Sequence, residues 1–283
     1  MPTLLTLLLT LLALTGCRSR APAAEAEPPH VAATPAISLA SPAISPATPD
    51  PSRALGPGVA VVELFTSEGC SSCPAADETL AEITTEAERA GSRVYTLELH
   101  VDYWTQLGWA DPYSAAIHSE RQGGYSRALG LNGSYTPQMI VNGREELVGS
   151  RGALARAAIS RALARPSSVG VKVAGTRSND SPSLIRVAYQ VKSSAPVLLQ
   201  LALAEDTAET AVERGENAGR RLKHRHVTRA FWTRRVQANA SGSWDAPWPA
   251  SARSVSAYLV AYAADPATRA VIGADAQSLG VPH

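Results

Sequence analysis

Residues Val59-Ala60-Val61-Val62-Glu63-Leu64-Phe65-Thr66 form a nearly continuous apolar, β-rich run, the pattern of a strand covered on both faces. Ala76, Leu80, Ile83, Ala87 and Ala90 then recur at intervals of four and three. They predict one apolar stripe of a helix that stops at Gly91. Val94, Leu97, Leu99 and Val101 predict a second central strand within 93–103. Residues 112–129 read as a helix with Tyr113, Ile117 and Tyr125 among its apolar contacts. The run 138–141 leads into Asn142-Gly143, a hairpin signal, so 145–148 is the expected returning edge strand. Leu154, Ala158, Ile159 and Leu163 mark a closing helix that Pro166 ends.

From Val169 the period changes to two. Val169, Val171 and Val173 alternate with small or polar residues, as do Ile185 to Val191, Val197 to Leu203, and Val255 to Ala261. Turn signals fall at 179–182, 193–196 and Asp265-Pro266. Several short amphipathic strands in this stretch predict an antiparallel sandwich, with the immunoglobulin-like form as one option. The expected fold is thus an α/β domain over 58–166 followed by a separate all-β sandwich domain over 167–283.

The N-terminal fifth has neither pattern. Leu4 to Leu14 is apolar except at Thr6 and Thr10, the length of a signal-peptide core and too short to span a bilayer. It ends in Leu14-Thr15-Gly16-Cys17, which resembles the lipobox of bacterial lipoproteins. That resemblance implies a signal peptide over 1–17 and lipidation of Cys17; an ordinary secretory leader is the alternative. Nine of the 20 prolines lie between Pro22 and Pro57, mixed with Ala, Ser and Thr, so 18–57 reads as a semi-extended tether. Arg18 in place of an Asp after the cysteine favours the outer membrane over the inner one. The expected location is the periplasm-facing cell envelope, with contact to membrane through the lipid alone.

Charge narrows the functions. The 26 basic and 25 acidic residues leave a net charge of +1, which argues against a nucleic-acid partner. The cysteines are Cys17, Cys70 and Cys73, too few for a disulfide scaffold or a four-cysteine metal site. Cys70-Ser71-Ser72-Cys73 falls where a strand hands over to a helix. Unpaired N–H groups and the helix dipole stabilise an anion there, so Cys70 is the expected exposed nucleophile and Cys73, one turn in, the buried resolving thiol. A zinc half-site or an inert structural disulfide are the alternatives at this point.

Tyr135-Thr136-Pro137, followed by 138–141 and the Asn142-Gly143 turn, resembles the Thr-Pro element of the thioredoxin superfamily. The resemblance implies a cis Pro137 beside the two cysteines and substrate pairing along the backbone at Thr136. A narrower resemblance, to the DUF1223 family of secreted thioredoxin-like proteins, rests on five blocks: residues 61–74, His100-Val101-Asp102-Tyr103-Trp104, Leu107-Gly108-Trp109, 135–139 and Arg214 to Arg220.

The remaining candidates follow. Glu63, in the buried strand, is a candidate proton relay with its pKa raised by desolvation, unless it pairs with an arginine. His100 and Asp102 are candidate modulators of the thiols, with helix capping the alternative for Asp102. Trp104 and Tyr135 join Thr136 as candidate substrate contacts, although the first reading of Trp104 and Trp109 is a wall or core of the insertion up to Asp111. Arg220, Arg221, Lys223, Arg225 and Arg229, with His224 and His226, read as a solvated basic strand face, with an anion or metal site, or a lip facing the cysteines, as the alternative. The expected activity is thiol–disulfide oxidoreduction with protein thiols or disulfides as substrates and an unknown redox partner. It needs no metal and no cofactor beyond a Cys70–Cys73 disulfide. The competing reading is a binding protein, non-catalytic or holding Cu(I) at the two thiols with His100 near by.

Overall fold

The computed structural model describes residues 55–177, 183–248 and 256–280, all within the unit Thr48–His283. The leader, Cys17, most of the tether, the 179–182 turn and Val255 lie outside them. In chain order the elements are β1 (Ala60–Thr66), α1 (Pro74–Ala90), β2 (Val94–His100), α2 (Ala116–Ala128), β3 (Gln138–Val141), β4 (Glu145–Val148) and α3 (Gly152–Leu163). They continue with β5 (Gly170–Arg177), β6 (Leu184–Lys192), β7 (Val197–Ala211), β8 (Arg221–Val236), β9 (Ser241–Pro247), β10 (Ala257–Ala264) and β11 (Val271–Leu279).

The expected fold, a thioredoxin-like α/β domain followed by a separate all-β sandwich domain, is overturned. One mixed eight-stranded sheet runs β11-β10-β7-β8-β2-β1-β3-β4, through both halves of the sequence. The seam is a parallel contact between β2 and β8, with Glu98 opposite Val227. A second sheet, β5-β6-β9, covers the distal half of the first. Val171, Ile185, Val187 and Val191 close a core there with Leu199, Leu201, Leu203, Leu259 and Ala261. Period-two alternation reports which face of a strand is buried but not which strand lies at its edge, so it could not show that the β-rich half continues the first sheet.

The local elements follow from their sequences. β1 is buried along its whole length and pairs in parallel with β2 and antiparallel with β3. Its Ala60, Val62 and Leu64 pack against Ala76, Leu80 and Ile83 of α1 and Ala158 and Ile159 of α3. Val61 and Phe65 point to the opposite face, with Leu97, Leu99, Ile140, Val260 and Tyr262. α1 starts with Pro74 at its first position and ends at Gly91, whose φ of 56° is the left-handed stop that glycine adopts without strain. Ile117 of α2, expected in the core, is 45% exposed, whereas His118, Arg121 and Gln122 are buried.

Those buried polar residues make a knot across the sheet. Arg121 Nε donates to Glu63 Oε1 at 2.6 Å and Arg121 Nη2 to Glu63 Oε2 at 3.0 Å. The Tyr262 hydroxyl, on β10, donates to Glu63 Oε1 at 3.0 Å, and the Tyr125 hydroxyl donates to Glu63 Oε2. Arg121 Nη1 donates to Gln200 Oε1 on β7, and the guanidinium lies 4.3 Å from the Phe231 ring centroid. A buried ion pair with its hydrogen bonds satisfied on every side thus joins β1 and α2 to β7, β8 and β10.

β11 also lies tight against the start of the second sheet. A Cβ added at Gly273 would fall 2.0 Å from the Val169 carbonyl oxygen. Gly273→Ala is therefore expected to cost about 1–3 kcal/mol, read as a lowered urea midpoint with an unchanged slope.

Candidate active site

Cys70 and Cys73 are joined by a disulfide at the N-terminus of α1, with Cys73 as the residue before the first helical turn. The Cys73 N–H donates to Cys70 O at 3.1 Å, and the Cys73 carbonyl accepts from Ala76 and Asp77 N–H, which opens the helix. Ser71 and Ser72 are exposed, but Cys70 is only 1% exposed. The expectation of an open nucleophile is corrected for this oxidised state, and the reason lies 147 residues downstream in the chain.

The tip of the β7–β8 hairpin covers the CxxC loop. Asn217 Nδ2 donates to both Glu68 O and Cys70 O, at 2.8 and 2.9 Å. Glu216 Oε2 accepts from the Ser71 N–H at 2.8 Å, and hydrogen bonding by the Ser71 hydroxyl, then by its N–H, holds the exposed Glu216 carboxyl below its ordinary pKa. The tip is internally bonded: Gly219 N–H reaches Val212 O at 2.8 Å, and Arg220 Nη1 reaches Asn217 Oδ1 at 2.9 Å. Gly215 is needed here, since its φ is 80° and a Cβ would sit 3.1 Å from Trp109 Cβ.

Trp104 ties the loop to the other candidate element. Its Nε1 donates to Thr136 Oγ1 at 2.8 Å, and its Cβ is 3.3 Å from where a Cβ on Gly69 would lie. The Thr136–Pro137 peptide is cis, and Pro137 is buried. A Cβ on Gly149 would meet Leu64, Ala76 and Pro137 together, so Pro137 lies beside the first turn of α1. Tyr135 is half-buried, with its hydroxyl on Glu146 Oε1 and its carbonyl accepting from Gln122 Nε2 at 2.7 Å. Asp102 accepts from the Ser119 hydroxyl on α2, and its N–H donates to the same oxygen at 3.1 Å, so it anchors that helix.

Glu63 is on the wrong side for a proton relay. It shares the face of Val61 and Phe65, opposite the face that carries α1 and the cysteines, and it is spent on Arg121. The polar residues that do lie on the α1 face are Thr66 of β1 and Thr96, Glu98 and His100 of β2. Thr66 Oγ1 donates to Asp77 Oδ1 at 2.6 Å, and Thr84 of α1 meets Thr96 at 2.7 Å.

His224 and His226, read from sequence as part of a solvated face, are 2% and 3% exposed; the neighbouring Arg221 and Lys223 are the solvated positions. His224 Nδ1 lies 2.6 Å from Glu98 Oε1, and its Nε2 lies 3.2 Å from Glu68 Oε1. His100 Nε2 lies 3.2 Å from the same Glu98 oxygen, and its Nδ1 lies 2.7 Å from Asp111 Oδ2. Asp111 Oδ2 also accepts the Glu68 N–H at 2.9 Å, and Trp109 Nε1 donates to Glu68 Oε2 at 2.8 Å. The Tyr113 ring packs edge-on against both imidazoles. The result is a buried seam of histidines and carboxylates directly behind the CxxC loop, joined to it through Glu68.

Burial and pairing compete in this seam. Burial alone would raise the Glu98 pKa, but His224 and His100 together bring it down to about 2. Burial opposes the charged form of His100, yet Asp111 and Glu98 lift it to about 10. The same opposition, won by Glu98 and Glu68, raises His224 well above the ordinary histidine value. Asp111 is brought to about 2 by His100 against its own burial. Asp77 goes the other way, raised to about 7 by burial and by Glu98. Every one of these shifts has its cause within the seam.

Of these residues the sequence marks His100 as a candidate and offers a metal site at His224 and His226 only as an alternative; Glu216 and Asn217 stand only inside a family block, and Glu68, Asp77, Glu98 and Asp111 carry no mark. One signal was present: Thr96, Glu98 and His100 put three polar groups on one face of a strand otherwise built for burial.

The model of the family "Protein of unknown function (DUF1223)" matches residues 61–263. The chain belongs to the DUF1223 family. Among solved structures it is similar to protein AGR_C_4864 from Agrobacterium tumefaciens, with 28% identity, a TM-score of 0.59, and coverage of 80% of this chain and 98% of the other. HBP35 of Porphyromonas gingivalis shares the fold at 16% identity and a TM-score of 0.57, covering 80% of this chain and 77% of its own. No curated protein matched. The DUF1223 blocks recognised in the sequence meet in space. Trp104 touches Thr136, Trp109 touches Glu68, and Asn217 touches Cys70, so segments from five parts of the chain build one site.

Proposed function

We propose that this DUF1223 protein performs thiol–disulfide exchange through Cys70 and Cys73, with proteins as its substrates. The observation that carries the reading is the Cys70–Cys73 disulfide at the N-terminus of a 17-residue helix, with Thr136 and Pro137 beside it across Trp104. Reduced, Cys70 has the helix N-terminus to stabilise its thiolate. A substrate thiolate attacks one sulfur of the protein's disulfide and the other leaves as thiolate. A second substrate thiol then displaces the mixed disulfide, so the substrate is oxidised by two electrons and the cysteine pair reduced by two. The same steps run backwards with a substrate disulfide. In the same reading the chain works in the cell envelope, held by lipid at Cys17, in a compartment where such exchange has a use. Retention of Cu(I) by the two thiols gains nothing from the geometry, because His100 turns its two ring nitrogens to Asp111 and Glu98 and not to the cysteines.

Trapping tests the proposal. In cells making the full chain, Cys73→Ala is expected to accumulate mixed disulfides with other proteins, seen as high-mass bands on non-reducing gels that collapse with reductant. Cys70→Ala should give none. If Cys73→Ala yields no bands, the exchange reading fails. The direction of electron flow follows from the potential of the pair: roughly −270 mV marks a reductant and roughly −120 mV an oxidant.

A further inference from the structure

We infer that the buried seam is a binding site for one divalent transition-metal ion, held by Glu98, His100 and His224 and separate from the cysteines. One donor atom from each of these three residues lies within 4.8 Å of the others, and all three side chains are buried. The pattern of partners is more specific than the cluster itself. His100 turns Nε2 to Glu98 Oε1 and Nδ1 to Asp111. His224 turns Nδ1 to the same Glu98 oxygen and Nε2 to Glu68.

Both imidazoles therefore direct one nitrogen at a common carboxylate, while a second carboxylate grips the far nitrogen of each. Metal-binding histidines have this outer support, which fixes the tautomer and the ring plane. Asp77 Oδ2 lies 4.0 Å from His224 Nδ1 but outside the group of three mutually close donors. Ligands at about 2.0–2.1 Å from a tetrahedral ion are about 3.3 Å apart, so the observed 2.6 and 3.2 Å from Glu98 Oε1 to the two imidazole nitrogens need only small side-chain shifts.

Charge agrees. Glu68, Asp77, Glu98 and Asp111 place four buried carboxyls against two imidazoles, and no Lys or Arg side chain is hydrogen-bonded to any of them among the described residues. A dication entering between the imidazoles and Glu98 takes the place of the hydrogens now shared there. A cleft of about 610 Å³ lined by Ala81, Tyr113, Thr207, Lys223, His224 and Arg225 has His224 in its wall. Two imidazoles and a carboxylate suit Zn²⁺, with Co²⁺ as its spectroscopic substitute.

The experiment uses the full chain, metal-stripped and with Cys70–Cys73 oxidised, so that thiolate ligation is closed off. After exposure to Zn²⁺ and dialysis, one equivalent is expected to remain bound by elemental analysis. Co²⁺ should give the intense visible bands of a four-coordinate site without a thiolate charge-transfer band. The Cys70→Ser/Cys73→Ser double variant should behave identically. His224→Gln and Glu98→Gln should lose the equivalent, and Asp111→Asn should keep it while weakening affinity by roughly 10–100-fold. Failure of the oxidised wild-type chain to retain any ion overturns the inference, whatever the variants do. So does retention that survives both His224→Gln and Glu98→Gln, or that vanishes with the cysteines. None of these outcomes bears on the trapping of mixed disulfides, so the two proposals stand or fall separately.

Discussion

Arg121→Met is expected to destabilise the oxidised chain by about 3–5 kcal/mol, the cost of leaving a buried carboxylate without its partner. Glu63 would keep the two tyrosine hydroxyls but lose both guanidinium bonds, and Gln200 would lose its donor. The measurement is urea unfolding of wild type, Arg121→Met, Glu63→Leu and the double variant. The double variant should cost less than the sum of the singles by roughly 1–3 kcal/mol, because an apolar pair removes the buried charge along with its partner. Hydrogen exchange should show the β1 and β10 amides losing protection together, since the knot fastens those two strands. A cost under about 1 kcal/mol for Arg121→Met would show that the pair does not hold the halves of the sheet together.

Asn217→Ala should open the disulfide. With Cys70 buried, a soluble thiol can attack only when the loop lifts away from the hairpin tip, and Asn217 supplies two of the hydrogen bonds that oppose this. At about 1 kcal/mol net for each, their loss raises the open population by about 30-fold. The rate of reduction by dithiothreitol should rise by a similar factor, while the midpoint of global unfolding moves much less. Glu216→Ala, which frees only the Ser71 N–H, should give a smaller change in the same direction. An unchanged rate in Asn217→Ala would mean that some other group guards the sulfurs.

Much of the first half of the fold is legible in the sequence, because its signals are local. The unbroken run before Cys70 marks β1, and the 4-3-4-3 spacing with Gly91 marks the apolar stripe and the end of α1. The Asn142-Gly143 turn places β3 and β4. The sheet as a whole is not legible, since its seam depends on β8 meeting β2 across 129 residues of chain at Glu98 and Val227. No periodicity records such a pairing.

The site divides the same way. Cys70, Cys73, Thr136 and Pro137 stand in short motifs and are found by reading. For Glu63 the alternative reading, a pair with an arginine, is the one the structure bears out, and only the fold shows that the arginine is Arg121. His224 was misjudged because basic residues on either side of it suggested solvent. In the structure those side chains point outward while the imidazole points in. The polar stripe Thr96-Glu98-His100 was the one readable sign that something must answer it from across the sheet.

β7 and β8 have 15 and 16 residues, about twice the seven of β1 or β2. At roughly 3.3 Å per residue the hairpin is some 50 Å long. One end fills the sandwich core with Leu199, Leu201 and Leu203, and the other lies on the cysteine loop with Asn217. The chain can therefore be inherited only whole. A gene fusion or truncation that kept the cysteine half and dropped the strands after it would strip the cover from Cys70 and leave Glu98 and His100 on a bare sheet edge.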